Sequence, residues 1–270
     1  MSAAFPVRQL DKRMVAKVWG REALPAPFAA PPGTRIGEIW FEPPPELPEV
    51  LVKYLFTSEK LSVQVHPSAA EARAGEAGKE ECWLVLDAEP GARLAIGFTR
   101  EVSAEEIAAA ARDGTIEALL AWHEARPGDL FYLPAGTVHA IGPGLALVEV
   151  QQASDTTFRL YDYGRPRALH LDRALAVARG TPHPAQHRRS IADGQVLVDG
   201  PHFRLDRVEG VPDAATHAAY QGPLLALPLS GELAARDGSL RAAAGTCLVA
   251  DGLASLDFAA AGVTLLTRSA

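Results

Sequence analysis

Leu61-Ser-Val-Gln-Val-His-Pro67, Lys79-Glu-Glu-Cys-Trp83 and Gly128-Asp-Leu-Phe-Tyr-Leu-Pro-Ala-Gly-Thr-Val-His139 hold the residues on which the rest of the chain turns. The first and last are alternating apolar strands that carry a polar, ligand-type side chain where the alternation points inward. Gln64 and His66 stand two apart and share one face of a strand, while Val63, Val65 and Pro67 do not. Imidazole nitrogen and amide oxygen both ligate borderline divalent ions. Glu81 opens the apolar run Cys82-Trp-Leu-Val-Leu86, where an unpaired carboxylate would be costly to bury but serves well as a metal ligand. Glu80 is its rival, since adjacent strand residues face opposite ways and only one of the two can reach a common site.

The flanking sequence is punctuated for β-structure. Twenty-three glycines and 21 prolines fall between short apolar runs, the spacing of an all-β chain with frequent turns. Strands are expected at Lys17–Gly20, Ile36–Phe41, Leu51–Phe56, Leu61–His66, Glu81–Leu86, Arg93–Phe98, Leu130–Leu133, Val138–Ile141, Ala146–Gln151 and Thr156–Tyr161. Ser68-Ala-Ala-Glu71 and Ser103-Ala-Glu-Glu106 fit capping boxes, so each should open a helix, the second ending near Asp113-Gly114. Thr115–His123 reads as a further helical turn or two. His183–Arg189, polar and bordered by prolines, reads as a linker, and six more short strands follow it. Gly245–Asp251 repeats the spacing of Gly128–Pro134, and extending the match puts Leu256 at the place of His139.

A length of 270 residues allows one or two domains. No apolar run reaches the roughly 18 residues of a transmembrane helix, and the first residues lack a signal peptide's order, so a cytoplasmic protein is expected. A net charge of −7 without any Lys/Arg cluster argues against nucleic acid or an anionic membrane as partner. A phosphorylated small molecule stays open, because a pocket needs only two or three local cations. Cys82 and Cys247 form no CxxC pattern, so neither a disulfide framework nor a cysteine zinc site is indicated.

Gly128, five residues, then Pro134-x-Gly136-x-x-His139 resembles the second motif of the cupin superfamily, with Pro143 where that pattern has Asn. Leu61–Pro67, Gly78-Lys-x-Glu-Cys-Trp83, Pro134–Gly142 and Gln151-Gln-x-Ser-Asp-Thr-Thr-x-Arg-x-Tyr-Asp162 together resemble the type I mannose-6-phosphate isomerases in order and spacing across about residues 15–170. The resemblance implies a mainly β fold of two cupin-type (jelly-roll) barrels with a few short helices. Residues 1–180 would form the metal-binding catalytic domain, and 190–270 a smaller, diverged domain without ligands. It implies one zinc ion held by Gln64, His66, Glu81 and His139. Arg159 falls on the catalytic arginine, Asp155 on its neighbouring acid, and Lys60, Ser62 and Lys79 on substrate-binding positions. The activity implied is the metal-dependent interconversion of mannose 6-phosphate and fructose 6-phosphate. Two rivals share the cupin motif: an enzyme with other metal chemistry, such as an oxygenase, and a sugar-phosphate-binding or regulatory cupin without turnover. Oligomeric state is not legible in the sequence. Tyr161, Tyr163 and Arg165 are candidates for the pocket mouth, whereas His123, His170, His183, His187 and His202 carry no supporting pattern.

Overall fold

The computed structural model describes residues 5–270 and is mainly β, with a few short helices. Its strands form four antiparallel sheets, and the alternation of side chains along each strand sorts the apolar residues into four layers between and outside them. The seven-stranded sheet runs, in spatial order, Arg188–Ser190, Asp129–Leu133, Glu81–Ala88, Leu145–Gln152, Val50–Phe56, Ile36–Phe41 and Lys12–Arg21. The five-stranded sheet runs Phe158–Tyr161, Val63–Val65, His139–Ile141, Arg93–Phe98 and Leu120–Glu124.

Between these two sheets lie Trp83, Val85, Leu55, Leu147 and Phe131 from one and Leu94, Ile96 and Ile141 from the other. The alternate residues turn outward. Val63, Val65, Val138, Ala140, Phe158 and Leu160 pack against the helices Ala104–Asp113 and Leu171–Val177. Val52, Tyr54, Phe56, Cys82, Leu84 and Val148 pack against Leu205, Leu225, Leu227, Val249 and Leu265 of a six-stranded sheet. That sheet buries its other face against a three-stranded sheet of residues 232–257 and the helix Ala214–Ala219. The chain crosses between these units near its N-terminus, where Arg8–Gln9 pairs with Val249 and Leu248 of the six-stranded sheet. No helix among the described residues is long and apolar enough to cross a membrane.

Most expected elements form, and the exceptions have local causes. Ser103 caps its helix by accepting from the Glu106 N–H, and Gly114 closes it in the left-handed conformation. At Ser68 the box forms without a helix. The Glu71 carboxylate accepts from both the N–H and the hydroxyl of Ser68, but one turn later Gly75 takes a positive φ and the chain leaves the helical path. Thr115–His123 is helical only over Ile116–Leu119. Leu120–Glu124 becomes an edge strand because Arg93–Phe98 offers it a free ladder. The helix Leu171–Val177 went unread in the sequence. The polar stretch 183–189 is no linker: it holds a short 3₁₀ turn, Ala185–His187, and then Arg188–Ser190 pairs with Asp129–Phe131. Two arginines on such an edge strand discourage further pairing.

The echo between the halves survives in three dimensions. Gly128 and Gly245 both have positive φ and both precede a strand, Asp129–Leu133 and Leu248–Asp251. The chain then moves into the facing sheet, at His139–Ile141 in one case and Leu256–Asp257 in the other. Leu256 is fully buried among apolar side chains, so the second unit closes its core where the first keeps an imidazole.

Gly136 shows why the corner of this motif is a glycine. Its φ is +82°, and a Cβ there would stand 2.8 Å from the Val177 carbonyl. Its N–H donates to the His66 carbonyl at 2.8 Å, which ties the corner to the strand bearing the first ligands. Gly136→Ala should therefore lower the unfolding free energy by about 1–3 kcal/mol, read from denaturant midpoints. His183 makes a second prediction. Its Nε2–H donates to the Tyr132 carbonyl at 2.8 Å, and burial lowers its pKa from 6.5 to about 4. A histidine held neutral by folding contributes stability that is complete above pH 6.5 and lost as the pH falls toward 4. Melting curves across that range should be flatter for His183→Gln than for the unaltered protein.

Candidate metal centre

The site occupies one end of the layer between the seven- and five-stranded sheets, where inward positions turn from apolar to polar. Register sets the geometry. His139 pairs with Gln64, and Gln64 in turn with Arg159, so these three side chains line up across neighbouring strands on the inward face. On the opposing sheet Glu81 shares the inward face of its strand with Trp83 and Val85. Glu80 points the other way, toward the Tyr132 hydroxyl, which settles the choice between the two carboxylates.

His66, Glu81 and His139 are each no more than 2% exposed. His66 Nε2 lies 3.6 Å from one Glu81 oxygen and His139 Nε2 lies 3.4 Å from the other. One ligand atom from each residue falls within 4.8 Å of the others, a grouping that can hold a metal ion. Both imidazoles are oriented for it. His66 Nδ1–H donates to the Thr156 carbonyl at 2.8 Å and His139 Nδ1–H to the Thr137 carbonyl at 2.9 Å, which leaves each Nε2 lone pair facing inward. Burial, with the Lys79 charge second, pushes His66 well below the ordinary histidine range, and burial likewise lowers His139. Both rings are thus neutral at pH 7, as ligation requires.

The carboxylate carries the strongest signature. Burial opposes the ionisation of Glu81, but the adjacent Lys79 ammonium outweighs it and holds its pKa below the usual range. Lys79 Nζ is 2.6 Å from one Glu81 oxygen, yet off the hydrogen-bonding direction, so both oxygens are buried with no aligned donor. A cation seated among the two Nε2 atoms would supply what those oxygens lack. Gln64 stands beside this group. Its oxygen accepts from the Ser62 hydroxyl at 3.0 Å and its nitrogen lies 3.2 Å from His139 Nε2. Exchanging the two amide ends keeps the Ser62 contact, now as acceptor, and turns the oxygen inward.

Beside the centre, on the far side of Gln64 and Lys79, lies a cavity of about 340 Å³ whose lining includes Ser62, Gln64, Lys79, Glu149, Asp155 and Arg159. Of the residues singled out in the sequence, Lys60 is not in this lining. It is paired at 2.6 Å with Glu117 on an outer groove. Tyr161, Tyr163 and Arg165 also lie outside it.

Two cavity residues escaped the sequence reading. Lys53 and Glu149 pair across neighbouring strands, 3.3 Å apart, and are 3% and 4% exposed. Trp83 Nε1–H donates to the other Glu149 oxygen at 3.1 Å, and Trp40 lies against the Lys53 ammonium at 4.1 Å. The signal was available: a lone charge within each of the apolar runs Leu51–Phe56 and Ala146–Val150. The same cost-of-burial reasoning that picked out Glu81 applies to both. Lys79 stands between Glu149 and Glu81; burial opposes its charge, but the two carboxylates raise its pKa. Lys53 has one such neighbour close by, and burial prevails, lowering its pKa.

Fold and site define a mainly β protein of stacked antiparallel sheets with a buried His/Glu/His centre able to hold a metal. The mannose-6-phosphate isomerase of Streptococcus mutans is 41% identical over 168 residues, covering 58% of this chain and 53% of that protein. The crystal structure of the Bacillus subtilis mannose 6-phosphate isomerase superposes with a TM-score of 0.78 at 25% identity, over 97% of this chain and 98% of that one. A zinc-bound mannose 6-phosphate isomerase shares the fold, with a TM-score of 0.68 at 15% identity, over 98% of this chain and 100% of that one. No family model matches the sequence. The chain is similar to the mannose-6-phosphate isomerases in both sequence and fold. It spans about half the length of the curated relatives it matches.

The donor set predicts one divalent ion per chain. Elemental analysis after metal loading should find one equivalent in the unaltered protein and a substoichiometric amount in both Glu81→Gln and His139→Ala, with folding retained by circular dichroism.

Proposed function

We propose that this protein is a mannose-6-phosphate isomerase that uses one zinc ion to interconvert mannose 6-phosphate and fructose 6-phosphate. The observation that carries the reading is the buried His66–Glu81–His139 group beside a cavity lined by Gln64, Lys79 and Arg159, in a chain similar to this family. Gln64, His66, Glu81 and His139 would hold the ion. A bound zinc would supply redox-silent charge stabilisation for sugar oxygens.

The chain's own residues supply the rest. Isomerisation moves a proton between C1 and C2 while negative charge gathers on the enediolate oxygens. Arg159, one strand from Gln64, faces that charge with a guanidinium that has no carboxylate partner within 4 Å among the described residues. Burial, then the Arg167 charge, lowers its pKa, but a guanidinium stays protonated at any working pH. Lys79 and the Ser62 hydroxyl are buried where substrate oxygens would come. The migrating proton is passed through a carboxylate of the cavity wall, where Glu149 and Asp155 stand. Lys60 is left out of the phosphate site, since Glu117 holds it away from the cavity.

We assign the fold to two cupin-type barrels, residues 1–180 carrying catalysis and 190–270 forming a diverged partner without ligands. The repeated course of the chain at Gly128 and Gly245, with Leu256 in the place of His139, supports this division.

A coupled assay on the zinc-loaded protein tests the activity directly. Turnover of mannose 6-phosphate is expected, with Arg159→Ala lowering kcat by about 10²–10³-fold. Absence of turnover in the unaltered protein would overturn the assignment, and full activity in His139→Ala would overturn the metal's role.

A further inference from the structure

We infer that Arg167, fixed by the buried carboxylate of Asp162, anchors the phosphate group of the substrate at the outer end of the cavity. The inference rests on the sugar-phosphate reading above and locates the one part of that substrate which the metal centre does not explain.

Six cations line the cavity: Arg13, Lys17, Lys53, Lys79, Arg159 and Arg167. Four are engaged by carboxylates there or nearby. Arg13 bonds Glu42, Lys17 is 3.0 Å from Glu38, Lys53 pairs with Glu149, and Lys79 touches Glu81. Arg159 has no such partner. Arg167 has one, but in a form that leaves most of its donors free. Its Nε and Nη2 each donate to Asp162 at 2.6 Å, the two-point fork of a guanidinium on a carboxylate. Three of its five N–H groups remain for another acceptor.

Asp162 is built as a strut. It is 2% exposed and also accepts from Arg165 Nη1 at 3.3 Å. Between the carboxylate and its arginines the chain reverses through Tyr163, at φ +56°, and Gly164, at φ +74°. Tyr163 is the only non-glycine residue with positive φ among the described residues. A side chain in that region costs roughly 1–3 kcal/mol and persists only where its surroundings hold it. What the turn achieves is the return of Arg165 and Arg167 to the same carboxylate.

The result is two guanidiniums on one wall of one cavity, near enough that the Arg167 charge depresses the Arg159 pKa after burial has done so. Asp162 occupies one edge of Arg167 and leaves its remaining donors, together with the Arg159 guanidinium, for an anion. A phosphate monoester matches in charge and in two-point geometry. The placement also fits the length of the substrate. The His66, Glu81 and His139 side chains are at most 3% exposed, while the Arg167 side chain is 27% exposed, so the reacting carbons would lie deep and the phosphate near the mouth.

The test compares unaltered protein with Arg167→Gln and Arg167→Lys, all zinc-loaded. Arg167→Gln should raise KM for mannose 6-phosphate and the inhibition constant of inorganic phosphate by about 10–100-fold, with kcat changed by less than about threefold and metal content unchanged. Arg167→Lys keeps the charge without the fork and should recover only part of the loss. Asp162→Asn, which retains one acceptor oxygen, should shift KM in the same direction by a smaller factor. Unaltered KM and phosphate inhibition in Arg167→Gln would overturn the inference. Should the unaltered protein fail to turn over mannose 6-phosphate, calorimetry with inorganic phosphate separates the two proposals. Binding lost in Arg167→Gln would uphold the anchor and sink only the isomerase reading, whereas equal binding would overturn the anchor as well.

Discussion

A carboxylate buried between two β-sheets has to be met by positive charge, and Glu81 is where this protein faces that demand. Both of its oxygens are out of reach of water and of any aligned donor. The residues arranged around it answer the deficit together: two imidazoles held neutral with their Nε2 atoms inward, and one ammonium in contact at the side. Removing an ion of this kind from water costs several kcal/mol even after relaxation. A core that accepts such a cost gains a buried grouping of donors that can hold a cation.

The surrounding architecture can be understood as the means of keeping that end of the layer polar while the rest stays dry. Along the strand Glu81–Ala88 the inward residues pass from Glu81 to Trp83 to Val85, and along Leu145–Gln152 from Leu145 and Leu147 to Glu149. The polar ends of the two strands lie side by side in register, Trp83 opposite Glu149 and Glu149 opposite Lys53. A one-residue slip in any of these pairings would exchange the inward and outward sets and carry the charges into the apolar layers on the far sides. Strand register is therefore as much a part of the site as the ligands are.

The C-terminal unit makes the same argument in reverse. Its chain follows the course of the N-terminal motif, turn, strand and crossing, but with Leu256 at the position of His139 and an apolar layer around it. That layer closes around Leu256, and the buried carboxylate of Asp206 beside it is met by Arg204 at 3.0 Å. Its sheet also contributes the apolar face that covers the outward side of the seven-stranded sheet, so the second unit serves the first through packing.

By itself the sequence determined the β class and the chemistry of the site. Resemblance to the isomerase family implies Arg159, while alternation places Gln64 with His66 and His139 on inward faces and Gly136 marks the corner. These are local facts, fixed by the period of two along a strand and by the special φ of glycine. Between Glu80 and Glu81 periodicity says only that they differ; the family resemblance pointed to Glu81, and the tertiary structure turns that residue inward. It alone brought Lys53 to Glu149 from almost a hundred residues away and took Lys60 out of the cavity by pairing it with Glu117. It also turned the polar stretch around His183 into a turn and an edge strand, and folded Asp162 back onto Arg167. Each of these depends on which strands become neighbours. That choice is made by the burial of whole sheet faces, a sum over many residues that no single stretch of sequence carries.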